Sequence, residues 1–138
     1  MRSRQDSKAD AIAHVPLFAA ASKSDLKKIA AITDEIDLRA GKELTRQGAL
    51  GREFFVLLEG TADVKKDNRK VNTLGPGDFF GEIALVSREP RTATVISTSP
   101  VRALVITDRS FRRLLDDAPR VQTKVMEAMA ERLAPDTL

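Results

Sequence analysis

The chain has no cysteine, no tryptophan and no tyrosine, and a single histidine, His14. Without cysteine there can be no disulfide and no thiolate metal site. One histidine leaves carboxylates alone as metal ligands, and no acidic loop of calcium-binding spacing is present. His14 stands beside Val15 and Pro16 and reads as structural or solvated. Six phenylalanines are the only aromatics, so the core must be largely aliphatic. An aromatic platform for stacking nucleic-acid bases is missing as well. No apolar run approaches the roughly 18–20 residues that span a bilayer. The polar stretch from Met1 to Asp10 has no apolar signal core. These absences lead us to expect a cytoplasmic chain with no metal, no cofactor, no catalytic residues and no membrane span.

What is present fits one domain: 138 residues, 42% hydrophobic, 31% charged, with a net charge of +3. The basic residues are scattered rather than massed, which is not the footprint of a nucleic-acid binder. Residues 1–10 read as a disordered tail, because they are polar and aperiodic. Helical pattern starts near Ala11. Ser22 and Asp25, three apart, resemble a capping box ahead of Leu26, Ile29 and Ala30. Leu17 and Phe18, just before it, are expected to pack beneath that helix.

From Glu35 to Asp108 the texture changes to short apolar and β-branched runs punctuated by Gly41, Gly48, Gly51, Gly60, Gly75 and Gly77. Strands are expected at 35–39, 42–46, 53–59, 61–66, 69–74, 92–98 and 101–106. That spacing suggests a sandwich or barrel. Asp67-Asn68 reads as a hairpin turn, and Lys65-Lys66 and Arg69-Lys70 beside it as solvated charge. Helices return at the end. Asp108 can cap a segment carrying Phe111, Leu114 and Leu115. Pro119 suits the first turn of a last helix with a stripe of Val121, Val125, Met129 and Leu133. Met126 lies alongside, and both methionines read as core.

Residues 75–95 carry the chemistry. Gly75-Pro76-Gly77 is a turn and Phe79-Phe80 a short strand end. Gly81 permits close approach of a ligand to the backbone. Glu82 to Val86 is long enough for one short helix, whose first N–H groups favour an anion. Arg91 can meet phosphate through two parallel hydrogen bonds, and Thr92 and Ala93 follow on the next strand. The Glu82 carboxylate would repel phosphate, so its object is a ligand hydroxyl. A ribose fused to a phosphate diester asks for this set. The bland alternative is a surface ion pair between Glu82 and Arg91, worth about 0–1 kcal/mol.

The segment closely resembles the phosphate-binding cassette of the cyclic-nucleotide-binding family, which includes catabolite activator proteins, regulatory subunits of cAMP-dependent kinase and cyclic-nucleotide-gated channels. The matching residues are Phe80-Gly81-Glu82-Ile83-Ala84-Leu85 and Pro90-Arg91-Thr92-Ala93-Thr94. Val15-Pro16-Leu17-Phe18 and Phe54-Phe55-Val56-Leu57-Leu58-Glu59-Gly60 agree with it.

The resemblance implies a mainly β fold with flanking α: an antiparallel β-roll or jelly-roll barrel over 11–134, with N-terminal helices, a short cassette helix, two C-terminal helices and a tail at 135–138. It also implies that Glu82 accepts the ribose 2′-OH. Arg91 holds the exocyclic phosphate oxygens, joined by the N–H groups of Ile83 and Ala84, and Thr92 reaches the phosphate and the base. Gly81 and Ala93 line the site, and Arg132 on the last helix caps the purine.

The function expected is a sensor that takes cAMP in preference to cGMP and signals through its last helix. Its effector would be another chain or a further domain. Two rivals belong to other classes. One is an interaction module that kept the fold and lost the ligand. The other is a cupin-type enzyme, which would want several strand histidines.

Overall fold

A computed structural model describes residues 4–19, 21–81 and 89–133, with side chains for 8–16, 18–19, 21–81, 89–124, 126–127 and 130. The described chain divides into two compact units. One is helical and takes the residues before 33 and after 108; the other, Thr33–Asp108, is built of strands.

The helical unit begins with α1 (Arg4–Ala13), a single 3-10 turn (Pro16–Phe18) and α2 (Lys23–Ile32). It is completed by α3 (Asp108–Asp117) and α4 (Pro119–Leu133). The capping box at α2 is present in both directions: the Asp25 amide donates to Ser22 Oγ at 3.0 Å, and the Ser22 amide donates to Asp25 Oδ2 at 3.4 Å. Ile29 and Ala30 on α2 are buried, as are Phe18 in the 3-10 turn and Phe111 and Leu114 on α3.

Helix α1 starts at Arg4, within the stretch expected to be disordered. Polar residues dominate it and hide its period. Its ties to the unit are not local: Ile12 is fully buried, and Lys8 Nζ donates to the Ala30 carbonyl at 3.2 Å. Helix α4 opens on Pro119 as expected, and Val121 is buried. Met126 corrects the reading of it as core, since it is exposed. Five residues of helix place it about 140° round the axis from Val121. Leu17, Val125, Met129 and Leu133 have side chains outside the described residues.

The strand unit contains, among the described residues, two antiparallel four-stranded sheets, ordered β1-β8-β3-β6 and β2-β7-β4-β5. The strands are β1 (Asp34–Leu38), β2 (Glu43–Thr45), β3 (Glu53–Glu59), β4 (Ala62–Lys66), β5 (Arg69–Leu74), β6 (Phe79–Phe80), β7 (Thr94–Ser97) and β8 (Val101–Thr107). This is the expected β-roll. Phe55, Leu57, Phe80, Val101 and Ala103 from one sheet meet Ala62, Leu74 and Val95 from the other in a single core. Phe55 and Phe80 are register partners, and their rings stack at 4.9 Å between centroids. Phe54, Val56, Leu104 and Ile106, on the opposite faces of β3 and β8, are also fully buried. That explains why these two strands read as continuous apolar runs rather than alternating ones.

The hairpin between β4 and β5 turns on Asp67 (φ 52°) and Asn68 (φ 65°). Positive φ at both central residues is the mark of a type I′ turn, whose twist suits a two-residue hairpin. Three expected strands are shorter than their patterns: the 42–46 run forms only Glu43–Thr45, the 61–66 run only Ala62–Lys66, and the 92–98 run loses most. The 92–98 run forms ladder only over Thr94–Ser97, so Thr92 and Ala93 precede β7 instead of lying on it.

Removing the Ser22 cap should cost about 1 kcal/mol of stability. Urea unfolding of Ser22→Ala should show a lower midpoint at an unchanged m-value, since the exposed surface on unfolding is the same.

Candidate functional site

Arg91 is the one buried charged residue among the described residues. Its backbone is clamped by the turn that follows β2: the Arg91 amide donates to the Ala49 carbonyl at 2.8 Å, and the Gly48 amide donates to the Arg91 carbonyl at 2.8 Å. Its guanidinium reaches the start of β3 and the end of β6. Nη2 donates to the Glu53 carbonyl at 2.7 Å, and Nη1 to the Gly81 carbonyl at 3.3 Å. Glu53 Oε2 lies 3.4 Å from Nη2, but that carboxylate is half exposed while the arginine side chain is only 6% exposed. Solvent screens such a pair. The shorter main-chain bond does more of the holding.

Two glycines shape the slot. A Cβ on Gly51 would come within 2.6 Å of Arg91 Cζ. A Cβ on Gly81 would lie 2.6 Å from the Glu53 carbonyl oxygen and 2.7 Å from Arg91 Nη1. Gly81 also has φ +91°, where an L side chain is strained. The groups that closely approach the Gly81 position within the chain are Glu53 and Arg91. Gly51, expected only as turn punctuation, carries as much weight. Thr92 is exposed beside Arg91, and the half-buried Ala93 accepts a hydrogen bond from Thr45 Oγ1 at 3.1 Å through its carbonyl.

The profile of the cyclic nucleotide-binding domain matches residues 35–118, from β1 through α3. The chain belongs to that family.

This cyclic nucleotide-binding domain is similar to a cAMP-dependent protein kinase regulatory subunit from Mycosarcoma maydis, 37% identical over 73% of this chain and 21% of that one. It thus spans about a fifth of the length of that curated relative. Among solved structures it resembles the regulatory domain of Toxoplasma gondii PKA with cAMP, at a TM-score of 0.82 and 27% identity, covering 93% of this chain and 50% of the other. The regulatory subunit of a cAMP-independent protein kinase A from Trypanosoma brucei shares the fold alone, at a TM-score of 0.84 and 19% identity, covering 96% and 47%.

Of the expected site residues, the structure joins Gly81 directly to Arg91 and sets Thr92 and Ala93 beside it in the chain. Glu82, Ile83 and Ala84, with the short helix expected there, lie outside the described residues. Arg132 lies on α4 with its side chain outside them. Sequence reasoning missed Gly51 and Glu53. Glu53 opens the strand expected at 53–59 and Gly51 stands just before it. A glycine three residues after Gly48 was the available signal.

No helix of the described residues is long and apolar enough to cross a membrane. Among the described residues no cluster of metal-ligating side chains occurs.

Gly51→Ala should destabilise the protein by about 1–3 kcal/mol, the usual range for overpacking. Because the obstacle is the Arg91 side chain, the cost should shrink in an Arg91→Ala background. A double-mutant cycle by urea unfolding should give a coupling of at least ~0.5 kcal/mol. Strictly additive losses would place the strain elsewhere.

Proposed function

We propose that this cyclic nucleotide-binding domain is a sensor that takes cAMP in preference to cGMP, with residues 11–134 as the binding module. The observation that supports it most is the guanidinium of Arg91, buried in the cassette and fixed by the main-chain carbonyls of Glu53 and Gly81. Those carbonyls orient the fork without adding a net negative charge of their own. A fork so oriented suits a phosphate diester, which it would hold through charge-assisted hydrogen bonds.

In this reading Arg91 binds the exocyclic oxygens, aided by the N–H groups of Ile83 and Ala84 and by Thr92. Glu82 accepts the ribose 2′-OH, Gly81 and Ala93 line the site, and Arg132 stacks on the purine. A guanidinium on a purine face is worth ~0.5–2 kcal/mol. Ligand favours the conformation it binds better, and the C-terminal helix α4 carries that preference to an effector. The effector would be a protein in another chain or a further domain, a kinase catalytic partner being the kind the relatives' names suggest. The module itself would do no chemistry and would work in the cytoplasm.

The purified chain should bind cAMP at micromolar or better affinity, on the order of −8 kcal/mol. About a hundredfold excess over the dissociation constant should then stabilise the fold by ~2.7 kcal/mol. Arg91→Ala should lose roughly 2–5 kcal/mol of binding free energy. Calorimetry with cAMP and cGMP measures the affinities, and thermal unfolding measures the stabilisation. No melting shift with either nucleotide in large excess would leave a ligand-free interaction module as the better reading.

Glu82 has its own test. Glu82→Ala should weaken cAMP more than 2′-deoxy-cAMP, because the deoxy ligand lacks the hydroxyl that the carboxylate accepts. Equal losses for the two ligands would remove Glu82 from the ribose.

A further inference from the structure

The turn that clamps Arg91 is itself tied to the tip of the β4–β5 hairpin. Ala49 donates its amide to the Arg46 carbonyl at 3.1 Å, closing a four-residue turn with Gly48 third. Gly48 has φ +85°, the conformation that the third residue of a type II turn needs. Gln47 is the second residue, and both its side chain and its main chain are engaged. Its amide donates to Thr94 Oγ1 at 2.9 Å, at the start of β7. Its Oε1 accepts from the Asp67 amide at 2.9 Å, and its Nε2 donates to Asp67 Oδ1 at 3.0 Å.

The orientation of the Gln47 side chain follows from chemistry. A backbone amide can only donate and an ionised carboxylate can only accept, so Oε1 must face the first and Nε2 the second. The next two residues after Gln47 are the ones that bond Arg91, through the Gly48 amide and the Ala49 carbonyl. A continuous hydrogen-bonded path therefore runs from the hairpin tip through Gln47 to the arginine backbone.

We infer that Gln47, clasped by Asp67, is a positioning residue for Arg91: it holds the 46–49 turn closed, and the turn in turn fixes the arginine. The consequence for ligand rests on the function proposed above; the consequence for Arg91 does not. Gln47 acts through the turn, so its loss changes how long the arginine stays aligned.

A charge exchange tests this. Gln47→Glu sets a carboxylate against the Asp67 carboxylate and destroys the clasp. Adding Asp67→Asn restores it, because the new side-chain amide donates to the carboxylate introduced at position 47. The backbone amide at position 67 still donates to that same carboxylate. An asparagine also tolerates the left-handed turn conformation of position 67.

Hydrogen exchange of the Gly48 and Arg91 amides in ligand-free protein is the primary readout. Gln47→Glu should speed both by about three- to tenfold, as loss of one or two weak hydrogen bonds implies. The double variant should return them toward wild type. Release of cAMP should quicken by about threefold in Gln47→Glu and recover in the double variant. A urea midpoint for each variant separates local loosening from global destabilisation.

Unchanged exchange in Gln47→Glu, or no recovery in the double variant, overturns the clasp whatever the ligand does. Faster exchange that recovers, with no nucleotide binding by wild type, supports the clasp and overturns the cyclic-nucleotide reading. Altered exchange with unaltered cAMP release overturns the link between the clasp and binding.

Discussion

Taking a guanidinium out of water costs several kcal/mol even after relaxation, and the cost is recovered only where its hydrogen bonds are remade with good geometry. Arg91 meets that condition through the carbonyls of Glu53 and Gly81. Much of the surrounding architecture follows from it. Glu53 opens β3, and Gly81 directly follows β6, the partner of β3 in the sheet. The Phe55–Phe80 stack locks that pairing close to the two acceptors. The apolar core thus fixes the spacing of the two carbonyls. The positive charge then sits where the sheet ends, on the loop leading into β7.

The same constraint explains where glycine is required. Gly51 faces the guanidinium, and Gly81 faces both the guanidinium and the Glu53 carbonyl. At Gly41 and Gly48 a Cβ would meet nothing, and there the demand is only for a positive φ. Two different physical reasons therefore stand behind residues that look alike in the chain. One is the handedness of a turn, which is local. The other is the room needed by a planar side chain, which for Gly51 belongs to a residue far along the chain.

That distinction also marks what could be read in advance. The Ser22–Asp25 box, the Asp67-Asn68 turn and Pro119 at the head of α4 are local devices. Their partners lie within a turn of the chain, or their role is a single dihedral preference. They were legible. The β-roll was legible too, because a series of short strands needs frequent turn signals. The family was legible from a pattern of residue types at fixed spacing. The roles of Gly51, Glu53 and Gln47 were not, since each is defined by a partner brought close only by folding. The exposure of Met126 was hidden for a simpler reason: a helix with apolar residues on more than one face does not say which of them is covered. Helix α1 was hidden by its polarity, as its anchors are one buried side chain, Ile12, and one hydrogen bond to α2.

How an arginine is held decides what it can do. An arginine on a mobile surface loop would meet an anion only after giving up about 2 kcal/mol of rotamer freedom, and that loss would weaken binding. Arg91 gives up that freedom on folding, and the roll's core and the 46–49 turn compensate for it. A slot built of buried carboxylates would order the side chain equally well, but it would set fixed negative charge where the proposed anionic ligand would have to come. Carbonyl dipoles order it without adding net charge, and the Glu53 carboxylate, half in solvent at 3.4 Å, is screened. Two of the acceptors that hold the fork, the carbonyls at 2.7 and 3.3 Å, are thus neutral. In the binding proposed for Arg91, such ordering would favour capture of one phosphate over nonspecific attraction of many anions, because the geometry of the fork and not its charge alone would select the partner.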